Sequence, residues 1–447
     1  MKYAVITFGC RVNQADSLGF EDELRAGGAI AASPDAADLV VVNTCSVTAT
    51  SDQGARQTIR RVARDNPSAR IVVTGCYATR SPQEVAALPN VARVISNDDK
   101  PRLISLIKAE TAENAENAAS NVFLASFTRS AVSLLTAGND GPCGAAIEPG
   151  VAGRTAYTLR VQTGCDEPCA YCIIPSTRGA SRSVPVRDLM REVERVTAAG
   201  FKEIALTGVH LGSYGRDLIP TASLIELLRA LPTAAENVLF RISSLEPMDC
   251  TPEIVHLVAV SNWFAPHFHL PLQHASNRVL AAMRRPYTIE YYAALVNDIR
   301  ARMPNASIGS DIIVGFPGET DDDFEQLASY LATSPLTHVH VFPYSDRPGT
   351  TATSMPNKVH GAVIRDRSRR IREIGATLAQ RFRDGQVGTV HRALTLEDGS
   401  VVVTGNYLKL RIPAGRSRNE WVSVRVTDEG IAAVVQTSDC KLQTYSV

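Results

Sequence analysis

The sequence predicts an α/β chain with an N-terminal parallel-sheet domain, a central partial (β/α)6 barrel and a small C-terminal β-barrel. Three observations predict it. Short apolar runs alternate with helical patterns over most of the chain, which is how parallel sheets with crossover helices are written. The last part of the chain instead reads as short strands parted by glycine turns, a small barrel of about 60 residues. The full length of 447 residues also exceeds what one hydrophobic core organises.

Residues 1–108 form the first expected domain. Tyr3 to Phe8 reads as a strand and Asp16 to Arg25 as a helix. Ala37 to Asn43 is a buried strand running into Thr44-Cys45. About Ser51 to Asp65 is a helix, and Arg70 to Thr74 is a strand running into Gly75-Cys76. Such sheets collect their ligands at the carboxyl ends of the strands. Cys10, Cys45 and Cys76 each stand just past a strand, so three cysteines far apart in sequence are expected to meet on one edge. Residues 109–153 read as a linker, from the Ala/Glu/Asn stretch Ala109 to Asn121 and the loop chemistry of Gly138 to Pro142. Cys143 within it reads as an incidental thiol.

Residues 154–380 form the second domain. Its strands are Tyr157–Val161, Glu203–Thr207, Leu239–Ile242, His267–Leu272, Ser307–Val314 and His338–Phe342, with helices such as Val186 to Ala199 between them, which makes an open barrel. An arginine-rich helix runs from Arg365 to Arg383. Residues 381–447 form the tail barrel, with strand runs at Val387–Val390, Ala393–Leu396, Val401–Thr404, Leu408–Ile412 and Trp421–Val426.

Lys+Arg and Asp+Glu balance at 46 each, so any nucleic-acid site must be a local patch. No apolar run approaches a membrane span, and the start lacks a signal-peptide core, so a cytoplasmic protein without membrane partners is expected. Nine cysteines, an odd number, argue for metal or redox chemistry rather than a disulfide framework. No histidine precedes His210, so the first half cannot build a Cys/His zinc site or a histidine-ligated cobalamin site.

Cys165-Asp166-Glu167-Pro168-Cys169-Ala170-Tyr171-Cys172 follows the first barrel strand with C-x3-C-x2-C spacing. Three thiolates can hold three irons of a [4Fe–4S] cube and leave the fourth iron open. A structural zinc would want a fourth protein ligand. The spacing, with the aromatic Tyr171 before the last cysteine, resembles the signature of the radical S-adenosylmethionine superfamily. That resemblance implies that the open iron chelates the amino and carboxylate groups of the cofactor. Polar groups at the other strand ends are the candidate cofactor contacts: Gly208, Ser243, Glu246 and Gln273, together with Tyr171. Gly208 would admit a close backbone approach to the methionine amino group. Each of these residues taken alone reads equally well as a cap, a turn or a core contact, and Gly315-Phe316-Pro317-Gly318 as a plain turn.

Thr7-Phe8-Gly9-Cys10-Arg11-Val12-Asn13-Gln14, Asn43-Thr44-Cys45 and Val73-Thr74-Gly75-Cys76-Tyr77 form a second set. With the triad and the tail, the chain outside the linker resembles the methylthiotransferases of the radical S-adenosylmethionine superfamily. The resemblance implies a second [4Fe–4S] cluster on Cys10, Cys45 and Cys76, and a tail of the RNA-binding TRAM type. Gly9-Cys10-Arg11-Val12-Asn13-Gln14 is nearest to the G-C-K-V-N-Q of the threonylcarbamoyladenosine group, with Arg11 in place of Lys. Gln162-Thr163-Gly164 and His274 depart from that group's usual pattern. The implied activity is formation of 2-methylthio-N6-threonylcarbamoyladenosine in transfer RNA, 3′ to the anticodon. The resemblance implies that one S-adenosylmethionine methylates sulfur at the N-terminal cluster. A second, by the same resemblance, would be cleaved reductively at the triad cluster to a 5′-deoxyadenosyl radical that takes the hydrogen from adenine C2. No catalytic acid–base pair is needed, because this chemistry belongs to the cofactor.

The implied partners are transfer RNA, a flavodoxin- or ferredoxin-like electron donor and a sulfur source, with the chain as a monomer. Candidate RNA contacts are Arg369 and Arg370 on the helix and Tyr407 and Lys409 in the tail, since cations and stacking rings suit phosphates and unpaired bases. A solvated helix face accounts equally for the arginines. Competing functions are methylthiolation of isopentenyladenosine or of a ribosomal protein aspartate, and a non-enzymatic RNA-binding redox sensor. Cys250 and Cys440 match no motif and read as structural.

Overall fold

The computed structural model describes residues 1–109, 155–235, 237–428 and 430–435. The linker expected at 109–153 lies outside the described residues apart from Ala109, as do Cys143 and Cys440. The chain divides into two compact units, Met1–Ala146 with Ile174–Ala180, and Ile147–Ile173 with Ser181–Val447.

The first unit is built on a parallel sheet of β1 (Lys2–Thr7), β2 (Ile30–Ala31), β3 (Leu39–Thr44), β4 (Arg70–Gly75) and β5 (Val91–Val94), in the order β2-β1-β3-β4-β5. All six residues of β3 are buried, as a strand covered on both faces must be. Strand alternation divides them: Val40 and Val42 join Ile59 and Val62 of the Ala49–Asp65 helix, while Leu39 and Val41 join Phe20 and Leu24 of the Arg11–Ala26 helix. The order reverses between β1 and β3, and such a switch point opens a crevice at the carboxyl ends of the strands. Cys10 and Cys45 follow these two strands.

The second unit holds six further parallel strands. β6 (Tyr157–Arg160) is followed by the short antiparallel pair β7 (Gln162–Thr163) and β8 (Arg182–Ser183). Then come β9 (Glu203–Thr207), β10 (Leu239–Ile242), β11 (His267–His269), β12 (Ser307–Val314) and β13 (His338–Pro343). β6, β9 and β10 form one sheet and β11, β12 and β13 another; the bridges Phe240 to Phe264 and Ser244 to His269 join them. The result is the expected open, partial (β/α)6 barrel. β11 is shorter than the expected His267–Leu272, because Pro271 cannot donate to a ladder. The chain rejoins β12 at Gln273, whose φ of 67° turns it back into register with Ile312.

The tail is a closed barrel of β14 (Val390–Leu396), β15 (Val401–Thr404), β16 (Lys409–Arg411), β17 (Trp421–Asp428) and β18 (Ile431–Val435), in the order β14-β15-β16-β18-β17. The expected strand at Val387–Val390 is a turn through Gly388, with φ of 83°, and the closing strand β18 was not foreseen. The arginine-rich helix runs from Gly361 to Asp384, and its Phe382 packs on the tail core. Arg241 of β10 joins the tail to the barrel. It is 1% exposed, donates to Glu203 Oε1 at 2.9 Å and to the Gly405 carbonyl at 2.7 Å, and its guanidinium lies 4.3 Å from the centre of the Tyr407 ring.

Removing one partner of a buried ion pair strands the other charge, at a cost of about 3–5 kcal/mol. Arg241→Met is therefore expected to lower the stability of the second unit by about that amount in chemical denaturation, and the double variant Glu203→Gln/Arg241→Met to recover most of it. A loss under about 1 kcal/mol for the single variant would show that Arg241 is not the tie.

Candidate functional site

Sequence and topology bring the first cysteine trio together. Cys10 is the N-cap residue of the Arg11–Ala26 helix after β1, Cys45 follows β3, and Cys76 opens the short Cys76–Arg80 helix after β4. Two of the three thus sit at helix N-termini. Two glycines let the loops close. Gly9 has φ of 90°, and a side chain there would overlap Cys45. Gly75 has φ of 98° and backs onto the Thr44 main chain.

Asn13, fully buried, ties the loops. Its amide donates to the Phe8 carbonyl at 2.8 Å and the Thr44 carbonyl at 2.9 Å, the residues before Gly9 and Cys45. Its Oδ1 accepts from Arg178 at 2.5 Å and from Lys100 at 3.3 Å. Both cations are buried, and both face Asp16, Lys100 at 2.5 Å and Arg178 at 3.5 Å. Burial pushes the Cys45 thiol up to about 11. Burial also acts to raise Cys76, yet its pKa is lowered, because Arg178 and Lys100 and the Asn97 amide outweigh burial. Three free thiols beside two buried cations and one carboxylate suit an anionic thiolate-bound cluster: the donors are soft sulfur and their charge is answered inside the protein.

The second trio lies on the loop after β7, and its three thiols are free and half-buried. Gln162, fully buried, organises the loop. Its amide donates to the carbonyls of Thr163 (2.9 Å) and Gly164 (2.7 Å), and its Oε1 accepts from the amides of Val209 and His210, both at 2.9 Å. Two cationic side chains stand against the sulfurs. Arg285 donates to Cys169 Sγ at 3.2 Å and pairs with Glu246. His210 Nδ1 lies 3.8 Å from Cys165 Sγ, and its Nε2 lies 2.7 Å from Asp249 Oδ2. Burial alone would lower the pKa of His210, but Asp249 and Cys165 raise it to about 10. The donor set again fits a cluster: three thiols with cationic neighbours that answer their charge.

The candidate cofactor contacts divide. Tyr171 and Glu246 both lie within electrostatic reach of Arg285 beside Cys169. Ser243, just past β10, and Gln273, where the chain rejoins β12 beyond β11, are each 9% exposed, and the Gln273 main-chain amide donates to the Asp311 carbonyl at 2.8 Å. At Gly208 the space of a side chain is taken by Leu211 and by Gln162, so its smallness serves the clamp on the cysteine loop. The Gly315–Gly318 segment is a turn closed by Glu319, which accepts from the Gly315 amide at 2.6 Å and pairs with Arg367 at 2.6 Å. Arg367 is thereby an inward-facing member of the arginine run. Arg369 pairs with Asp366 and Glu373, Arg370 with Glu325, and Lys409 with Glu397, all on the surface. Tyr407 is 44% exposed, its ring against His267 and Arg241.

Two family models match the chain, "Uncharacterized protein family UPF0004" over residues 2–96 and "Radical SAM superfamily" over residues 159–331. Five relatives that are 30–36% identical over 92–97% of this chain are threonylcarbamoyladenosine tRNA methylthiotransferases. That of Aquifex aeolicus is 36% identical over 414 residues, 92% of this chain and 96% of its own. The chain belongs to the radical S-adenosylmethionine methylthiotransferases. Within that family, the ribosomal protein uS12 methylthiotransferase of Roseiflexus castenholzii is 33% identical over 91% of this chain and 88% of its own. The radical S-adenosylmethionine methyltransferase TsrM of Kitasatospora setae, solved with cobalamin and a [4Fe–4S] cluster, superposes with a TM-score of 0.54 at 16% identity, over 79% of this chain and 74% of that one, and so shares its fold. As a radical methylthiotransferase the enzyme is a transferase that uses S-adenosylmethionine and two [4Fe–4S] clusters.

Asn13, Asp16, Lys100, Arg178, His210 and Arg285 were not singled out by sequence reasoning. Asn13 stood inside a quoted motif, and only its burial shows it to be a clamp. The others are single residues without spacing, and Arg178 joins the first unit although it follows Cys172 in sequence.

Anaerobic reconstitution is expected to give about eight irons per chain, four for each cube. The triple Cys→Ala variant at Cys165, Cys169 and Cys172 should keep about half of them. Arg178→Met should lose the other half selectively, because Cys10, Cys45 and Cys76 then lose the guanidinium whose charge acts on all three, while Arg178→Lys should restore part of the iron. Full iron in Arg178→Met with unchanged circular dichroism would contradict this role.

Proposed function

We propose that the enzyme converts N6-threonylcarbamoyladenosine in transfer RNA, 3′ to the anticodon, to its 2-methylthio derivative. The observation that carries the reading is the separate gathering of two cysteine trios, the first past the ends of the parallel strands β1, β3 and β4 and the second on the loop after β7. A cluster with an open iron and bound S-adenosylmethionine supplies one-electron chemistry able to break an unactivated C–H bond. In this reading Cys165, Cys169 and Cys172 hold that cluster, while Arg285 and His210 answer their charge. Tyr171, Gly208, Ser243, Glu246 and Gln273 border the strand ends where the cofactor binds. Cys10, Cys45 and Cys76 hold the cluster at which sulfur is delivered, with Arg178 and Lys100 fixing the local charge.

The substrate is favoured by the relatives that act on threonylcarbamoyladenosine and by the Gly9–Gln14 segment, whose Asn13 ties the cysteine loops. The tail is read as a TRAM-like barrel that meets RNA with Tyr407 and Lys409, assisted by Arg369 and Arg370. Their acidic partners are exposed, and exposed ion pairs are weak enough to be exchanged for phosphates. An electron donor of the flavodoxin or ferredoxin type and a sulfur source complete the reaction. The enzyme acts as a monomer in the cytoplasm, where its transfer RNA is. Among the described residues no helix is long and apolar enough to cross a membrane.

Mass spectrometry of transfer RNA nucleosides from cells with and without the gene tests the reading. Loss of 2-methylthio-N6-threonylcarbamoyladenosine, with accumulation of its unthiolated precursor, is the expected result. Loss of the isopentenyl product, or of the methylthio group on a ribosomal protein aspartate, would reassign the substrate. No change in any of the three would leave the redox-sensor reading in place.

A further inference from the structure

Three neighbouring strands of the partial barrel carry a cluster that neither cysteine trio uses. On β13, Val339 and Val341 pack into the core with the Gly361–Asp384 helix, Val339 filling the space beside Gly375. Strand alternation therefore turns His338 and His340 to the opposite face. Register sets Asp311 of β12 beside His340, and Gly309 of β12 beside both His269 and His338. Gly309 is required there, since a side chain would overlap the His338 ring and press on His269 Nδ1. With that space open, His269 Nε2 and His340 Nδ1 converge on one atom, Asp311 Oδ1, at 3.0 and 3.1 Å. The three ligand atoms lie within 4.8 Å of one another.

We propose that His269, Asp311 and His340 form a binding site for a first-row divalent cation, distinct from the two cluster sites. Two imidazole nitrogens and one carboxylate oxygen are the donor set of three-ligand sites for Mn2+, Fe2+ or Zn2+. A cation bonded at about 2.0–2.2 Å holds tetrahedral ligands about 3.3–3.6 Å apart, so the two separations to Asp311 Oδ1 need only a small opening to admit it. All three ligands come from paired strands rather than loops, which fixes their spacing without the ion. The His340 side chain is 58% exposed, so the remaining coordination positions are open to water or to an oxygen donor. Without a cation the same atoms form a hydrogen-bonded triad in which the carboxylate accepts from both rings.

Mn2+ is the discriminating probe, because it prefers nitrogen and oxygen ligands over the thiolates that occupy the rest of the chemistry. The full chain, reconstituted anaerobically and freed of excess metal, is titrated with Mn2+ while the EPR signal of the free ion is followed. One Mn2+ bound per chain is expected, displaced by Zn2+. Loss of an outer-shell partner already weakens metal sites by about 10–100-fold, so His340→Gln and Asp311→Asn should each weaken binding by about 100-fold or more, and His338→Gln should not. His340 is exposed, and retained cluster absorbance in His340→Gln shows that the chain is folded when the comparison is made. Absence of Mn2+ and Zn2+ binding by the parent chain, or binding unchanged in His340→Gln and Asp311→Asn, overturns the proposal and leaves a hydrogen-bonded triad.

Discussion

Parallel strand pairing is the constraint on which the rest of this structure depends. Strands that run the same way end on the same side, so residues that follow them meet however far apart they are in sequence. In the first unit, β1, β3 and β4 deliver Cys10, Cys45 and Cys76 to the switch-point edge. In the second, one loop carries a whole trio, and the neighbouring strand ends bring His210, Glu246 and Gln273 to the same side. Glycine, Asn13 and Gln162 then do locally what the sheet does globally: they bring loop main chains close enough for the thiols to converge.

Convergence creates a charge problem, and the two sites answer it differently. At the first trio the compensation is buried and rigid, with Arg178, Lys100 and Asp16 interlocked through Asn13. Such charges act at low dielectric and are screened by salt much less than surface charges. At the second trio Arg285 and His210 touch the sulfurs directly and are themselves oriented by Glu246 and Asp249. The polarity of each site is thus set by charged residues outside the cysteines themselves.

Much of this was legible in the sequence, for a physical reason in each case. Buried parallel strands read as unbroken apolar runs, so β3 and β4 were plain, and C-x3-C-x2-C announces itself by spacing. What was not legible depends on contacts between distant residues. Nothing local marks Lys100 or Arg178 as buried, because a lone cation in a helical pattern normally faces water. The arginine run read as one basic face, whereas Arg367 turns inward to Glu319 and its neighbours carry acidic partners from other turns and helices. Tyr407 read as a ring for stacking bases, and the structure also gives it Arg241 and His267. β18, Ile431 to Val435, was missed, and barrel closure reveals it.

The central claim is a division of labour, with hydrogen abstraction at Cys165, Cys169 and Cys172 and sulfur delivery at Cys10, Cys45 and Cys76. The most direct test is to replace Cys10, Cys45 and Cys76 together by Ala. The variant, reconstituted with a strong reductant, S-adenosylmethionine and substrate RNA, is then assayed in one reaction for 5′-deoxyadenosine and for methylthiolated nucleoside. The account predicts that 5′-deoxyadenosine continues to form while the methylthio product disappears. Equal loss of both, in a protein that keeps its second cluster and its fold, would contradict it and reduce the first trio to a structural element.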